Sequence, residues 1–85
     1  MKIHLHKSFQ KVYEKLSPAR RKRVDEALRQ FAADPGHALL RLHELQPKGC
    51  GIFSINAGGD LRCLFVEIEE GVAFIALGTH APLYG

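Results

Sequence analysis

Three stretches dominate the second half of the chain: "GIFSIN" (51–56), "DLRCLFVEI" (60–68) and "VAFIALGTH" (72–80). Only "AGG" and "EEG" separate them. Their alternating or continuous apolar residues mark strands. A parallel pair needs a crossover of a dozen residues or more, so connections this short restrict the three to an antiparallel meander. The first half has a different period. "KIHLH" (2–6) alternates, with Ile3 and Leu5 on one side and Lys2, His4 and His6 on the other, which predicts a short strand. Behind Ser8 as expected N-cap, Phe9, Val12, Tyr13 and Leu16 recur at helical spacing. Ser17 and Pro18 are the N-cap and first residue expected of a second helix. Its apolar stripe is Val24, Ala27, Leu28 and Phe31, and "DPG" (34–36) stops it. "ALLRLHEL" (38–45) leads into a further short strand.

The resulting order is β-α-α-β-β-β, an α+β layout in which a helical hairpin packs on one face of an antiparallel sheet. Eighty-five residues make a single domain spanning 1–85. A chain this short buries about 60–65% of its unfolded surface, so the core is expected to be thin.

The loops predict a register. A three-residue loop at 57–59 pairs Asn56 with Asp60, Ser54 with Arg62 and Phe53 with Cys63. A loop at 69–71, closed by a left-handed Gly71, places Ile68 opposite Val72, Arg62 opposite Gly78 and Asp60 opposite His80. Strand residues alternate faces. Phe53, Ile55, Leu61, Cys63, Phe65, Ile75 and Leu77 then form the face towards the helices. Ser54, Asn56, Asp60, Arg62 and His80 share the other face with Ile52, Leu64, Val66, Phe74 and Ala76. Cys50 falls opposite Val66, too far from Cys63 for a disulfide, and Cys63 is expected to be a small buried apolar residue.

The formal net charge is +3 with a pI near 9.1, and the run Arg20, Arg21, Lys22 and Arg23 holds four of the positive charges. Such a run suits a solvated helix face or a polyanion. No apolar stretch approaches the ~20 residues of a membrane span, and the N-terminus lacks a signal-peptide core. The expected setting is therefore the reducing cytoplasm, with no membrane partner. The histidine and cysteine spacings form no convincing metal set, so no metal and no cofactor is expected.

The polar residues gathered around Asp60 and His80 are those of phosphodiester chemistry. An imidazole exchanges a proton near neutral pH. Arginine braces a phosphorane as its charge builds, aspartate orients an imidazole, and tyrosine stacks on a base. Taken singly, each has a structural reading. His80 is a strand-end histidine, Asp60 a hairpin residue, Arg62 a cross-strand partner and Tyr84 a hydrophobic peg. His43 is a structural histidine, while His4, His6 and His37 are surface residues.

The stretch from "LHELQ" through "GDLRCLF" to "GTHAPLYG" resembles the RelE/ParE superfamily of bacterial toxins from type II toxin–antitoxin pairs, and within it the YafQ-like branch. The terminal G-T-H-A-x-L-aromatic-G carries most of the resemblance, with "HxLQ" second. The fold it implies has the same β-α-α-β-β-β order. The activity it implies is a ribosome-dependent, metal-independent mRNA endoribonuclease, in which the ribose 2′-OH attacks the adjacent phosphate. Carried over by motif, His43 and His80 match catalytic histidines, and Asp60 matches an aspartate before the central strand. Tyr84 matches the aromatic four positions after the second histidine, and Arg62 a phosphate-binding arginine. Arg20, Arg21, Lys22, Arg23 and Lys48 would contact ribosomal RNA, and a cognate antitoxin would neutralise the protein. Two positions depart from the YafQ-like pattern: Asn56 stands for a histidine and Leu61 for a tryptophan. A ParE-like gyrase inhibitor and a catalytically degenerate, antitoxin-binding member remain as alternatives.

Overall fold

Each helix begins where a side chain can accept the first unpaired N–H groups. In the computed structural model, which describes residues 1–79, strand β1 (Lys2–Leu5) runs into helix α1 (Lys7–Lys15). The cap of α1 is His6, not the expected Ser8: His6 Nδ1 accepts from the Ser8 N–H at 3.1 Å. Ser8 instead turns its hydroxyl to the sheet and donates to the Ile75 carbonyl. Helix α2 (Pro18–Ala33) starts as predicted, with Ser17 as N-cap, Pro18 at the first position and Asp34 closing it. A 3₁₀ turn (Ala38–Leu40) then leads to β2 (His43–Glu44), β3 (Ile52–Asn56), β4 (Leu61–Ile68) and β5 (Gly71–Thr79).

The five strands form one sheet in the order β1-β5-β4-β3-β2. The meander is antiparallel as expected, but β1 joins parallel to β5, so the sheet is mixed rather than wholly antiparallel. Two helices lie between β1 and the meander, which gives the chain enough length for a crossover. Gly71 makes this parallel contact possible. A Cβ there would lie 2.0 Å from the Lys2 carbonyl oxygen, and Gly71 sits in the strand rather than in the left-handed conformation expected of it.

Both hairpins differ from the expected register. The β3–β4 loop is Gly58–Asp60: Ala57 N–H donates to the Leu61 carbonyl at 2.9 Å, and Asn56 pairs with Arg62. Phe53 therefore faces Phe65, and Ile55 faces Cys63. The slip is two residues, so each side chain keeps its predicted face. Two turn residues, Glu69 and Glu70, connect β4 to β5, and Ile68 pairs with Gly71. An odd offset would turn all of β5 over. Up to Phe65, which faces Phe74, the shifted register holds; a bulge between Leu64 and Phe65 then restores the expected pairing, with Leu64 facing Ala76 and Arg62 facing Gly78. Ile75 is the extra residue.

The bulge corrects the predicted core. Phe74, expected on the face away from the helices, is wholly buried beneath them, and Val72 lies in the same core. Phe74 lies 5.7 Å from Phe9 of α1, 5.6 Å from Phe31 of α2 and 5.3 Å from Phe65 (ring centroids). Phe53 stacks on Phe65 at 5.4 Å, so all five phenylalanines of the chain join in one cluster. Each buried ring contributes about 1.5–3 kcal/mol by burial, and favourable ring pairs add about 0.5–1.5 kcal/mol. Val24, Ala27, Leu40, Ile55, Ala57, Leu61, Cys63 and Leu77 complete the core. Burial pushes the Cys63 thiol up to about 12. Cys50 lies before β3, exposed and unbridged.

The edge strand β2 is short and its loop is held by a carboxylate. Glu44 accepts from the Gly51 N–H at 3.0 Å and also from Gly49, and these bonds hold its carboxyl below the ordinary value of 4.5. Gly49 and Gly51 both have positive φ, which turns their N–H groups in towards Glu44.

Three outcomes are expected. Phe74→Ala should lower unfolding free energy by about 3–5 kcal/mol in urea denaturation, whereas a Phe74 facing away from the helices would give a much smaller loss. Gly71→Ala should detach β1, seen as lost amide protection at Lys2 and His6, which donate to Glu70 and Phe74. Glu44 is lowered in the folded state, so its contribution is present above the unfolded pKa and fades as pH falls through the folded one. The Gly51 amide shift should accordingly titrate with a midpoint below 4.5, and this titration should vanish in Glu44→Gln.

Candidate functional site

Alternation along the strands places the candidate residues on the face turned away from the helices. His43 pairs with Ser54, which pairs with Leu64, which pairs with Ala76. Two residues along β3, Asn56 pairs with Arg62, which pairs with Gly78. His43, Asn56 and Arg62 therefore share one face across three adjacent strands, each ~4.8 Å from the next. Ser54 is wholly buried beside His43. Sequence reasoning put it on this face but assigned it no role, and nothing in its local sequence distinguishes it.

Arg62 is half-buried, and its position is set by the hairpin it leaves. Its Nη1 donates to the Gly59 carbonyl at 3.0 Å and to the Leu61 carbonyl at 3.1 Å. Opposite it in the register stands Gly78, which has no side chain. His43 is exposed, with Nδ1 2.8 Å from the Arg41 carbonyl. A carbonyl only accepts, so Nδ1 carries the proton in this bond and Nε2 is left as the acceptor. Arg41 turns the chain here with φ 48°, which aims its carbonyl at the ring two residues on. Asp60 is exposed at the tip of the β3–β4 loop, outside the strand register. Thr79, paired with Leu61, is the last residue described. His80 and Tyr84 lie outside the described residues, and so does the expected pairing of Asp60 with His80.

The basic run does not act as one patch. Residues at 100° steps around a helix cannot all face one way, and two of the four are already engaged. Arg21 donates to the Glu14 carbonyl at 2.6 Å and lies 6.0 Å from the centre of the Tyr13 ring. Tyr13 in turn donates to Asp25 at 2.7 Å, a bond that raises its pKa. This group ties α1 to α2. Arg23 points the other way, over the β3–β4 loop: a Cβ on Gly58 would lie 3.0 Å from its Cδ. Arg20 and Lys22 are exposed, as is Lys48 on the loop that Glu44 holds.

Beside Arg23 a groove of about 350 Å³ runs between α2, the 3₁₀ turn and the hairpin, with Gln30, Leu39, Leu40 and Asn56 among its walls. Among the described residues, no three His, Cys, Asp or Glu side chains come together as a metal site, and no helix is long and apolar enough to cross a membrane. With its pKa near 12, Cys63 stays a thiol and offers no nucleophile.

No family model matches the chain, and no curated protein matches its sequence. Solved structures do match, over nearly the whole length of both partners. YafQ from E. coli strain BL21(DE3) aligns with TM-score 0.76 and 21% identity, over 99% of this chain and 98% of that one. YafQ in the E. coli DinJ–YafQ toxin–antitoxin complex aligns with TM-score 0.75 and 21% identity, over 99% and 97%. A YoeB/ParE toxin from Agrobacterium tumefaciens gives TM-score 0.74 and 17% identity, over 94% and 99%. At these identities the likeness is one of architecture. Two helices on one face of a five-stranded mixed sheet give this chain the fold of the YafQ and YoeB/ParE toxins.

Proposed function

We propose that this protein is the toxin of a type II toxin–antitoxin pair and that it cuts mRNA on the ribosome. The observation that carries the reading is the row Asn56–Arg62–Gly78, with His43 on the same face. It sets a half-buried guanidinium held by two carbonyls and an exposed imidazole on one face of the sheet, on a fold shared with known toxins.

In the proposed reaction a base takes the proton of the ribose 2′-OH. The 2′-oxygen then bonds to the adjacent phosphorus, and the bond from phosphorus to the 5′-oxygen breaks. An acid protonates that leaving oxygen. The products are a 2′,3′-cyclic phosphate and a free 5′-OH, and no metal is required. Arg62 braces the non-bridging oxygens, where negative charge builds in the transition state. His43 and His80 divide the base and acid roles. Asp60 orients a histidine and Tyr84 contacts the substrate nucleotide. Asn56 has no proton to exchange near neutral pH, so it serves only as a hydrogen-bonding amide. Arg20, Lys22 and Lys48, with Arg21 behind them, face ribosomal RNA as salt-dependent contacts. The DinJ–YafQ complex is a toxin–antitoxin complex, and a cognate antitoxin with an acidic segment is the corresponding partner here.

One observation favours a second reading, a degenerate member that only binds its antitoxin. Leu61, standing where the YafQ-like pattern has a tryptophan, is buried in the core, so neither it nor Asn56 supplies an exchangeable proton.

The test is induction of the protein without its antitoxin, followed by mapping of RNA ends and an assay of DNA supercoiling. In-frame cuts in translated mRNA bearing 2′,3′-cyclic phosphates are expected. His80→Ala and Arg62→Ala should each reduce cutting by about 10²–10⁴-fold. Growth arrest with intact mRNA and damaged supercoiling would establish gyrase as the target instead. Neither effect in the wild type would leave the degenerate reading standing.

A further inference from the structure

The basic run and the "GGD" hairpin are far apart in sequence, yet they meet in space. The β3–β4 loop has two consecutive residues at positive φ, Gly58 at 91° and Gly59 at 56°, a conformation that side chains rarely adopt. The glycines meet a second need as well. Cδ, Cγ and Nε of Arg23 lie 3.0, 3.6 and 3.7 Å from where a Gly58 Cβ would stand, and Nη1 lies 3.9 Å from that of Gly59. The whole stem of Arg23, from Cγ to the guanidinium, therefore lies along the loop. On its other side the loop is held by Arg62, whose Nη1 donates to the Gly59 carbonyl at 3.0 Å.

We infer that Arg23 is a positioning residue: its stem braces the Gly58–Gly59 loop and so sets where the Arg62 guanidinium stands. The path is short and continuous. It runs from the Arg23 methylenes to the Gly58 and Gly59 backbone, and through the Gly59 carbonyl to Arg62 Nη1. Arg23 is rooted on a rigid part of α2, between the loop and the wholly buried Val24. The loop's ends are closed by backbone bonds between Ala57 and Leu61 and from the Leu61 N–H to the Gly58 carbonyl, while the side-chain contacts to its exposed tip come from Arg23 and Arg62. Apolar stems of long basic side chains commonly cover a surface in this way while the charged head stays in water. The inference separates Arg23 from Arg20 and Lys22, whose role as RNA contacts depends on charge. It rests on the RNA-cleaving reading only for what Arg62 does, not for the coupling itself.

Arg23→Ala removes both stem and charge, whereas Arg23→Met keeps an unbranched stem and removes the charge. In nitrogen–proton correlation spectra, Arg23→Ala should move the Arg62 Nε–Hε signal and the Gly59 and Asp60 amides. Arg23→Met should leave them near their wild-type positions. In ribosome-dependent cleavage, Arg23→Ala should lower kcat by about ten- to a hundredfold, the range that misplacing a reacting group produces, with an unchanged salt slope. Arg23→Met should stay within about threefold of wild type, as an ordinary surface substitution does.

Unmoved Arg62 and loop signals in Arg23→Ala would overturn the inference. So would equal impairment in both variants with the salt slope reduced by about one, the mark of a lost phosphate contact. If the wild-type protein cuts no RNA, the proposed function fails, and the spectra alone still decide whether Arg23 positions Arg62.

Discussion

The structure depends on one extra residue in β5. Side chains on a strand alternate faces, so a two-residue turn at Glu69–Glu70 alone would bring Ala76 and Gly78 to the helix side in place of Leu77. The bulge at Ile75 lets both ends of β5 face correctly. Before it, Val72 and Phe74 point into the core, and after it, Leu77 does. Phe74 is the centre of the aromatic cluster, touching a ring from each helix and one from β4. Without the bulge the sheet could satisfy the helices or the candidate site, but not both. The Ile75 carbonyl does not go unpaired, because the Ser8 hydroxyl donates to it from the first turn of α1.

The same device orders the outer face. Beyond the bulge the pairing returns to even offset, and this sets Gly78 beside Arg62 and Ala76 beside Leu64. Gly78 and Ala76 put little or no side chain on β5 beside Arg62 and Leu64, while the Gly59 and Leu61 carbonyls hold the guanidinium. The helices meanwhile meet through polar groups, with Arg21, Tyr13 and Asp25 linking α2 to α1. Core, outer face and helix pair are thus separately stabilised, which suits a chain whose size leaves little margin.

Most elements were legible in the sequence because local signals specify them. The Ser17–Pro18 start of α2, the Asp34 stop and the three long strands all stand where period and caps put them. The cap of α1 was misread because Ser8 is the usual cap type, whereas here its hydroxyl finds a better partner in the sheet and a histidine takes its place. At the candidate site, Arg62 opposite Gly78 was legible, although two deviations from the expected loops had to cancel: a two-residue turn and one bulged residue. His43 on the same face required the pairing of a two-residue strand, which no period can reveal. Arg23 was read as one of four equivalent charges, because nothing local says that it alone reaches the hairpin.

By itself, then, the sequence determined the identity and order of the elements, the faces of β3 and β4, and the residue types available for chemistry. Those follow from side-chain period, capping and turn preference, which act over a few residues. Only the tertiary structure decided the parallel seat of β1 against Gly71, the inward turn of Phe74 and the approach of Arg23 to the Gly58–Gly59 loop. Each depends on two surfaces competing for the same space, here a Cβ against a carbonyl, three rings around Phe74 and an arginine stem against a backbone. Distant packing resolves such competition, and local pattern carries no record of it.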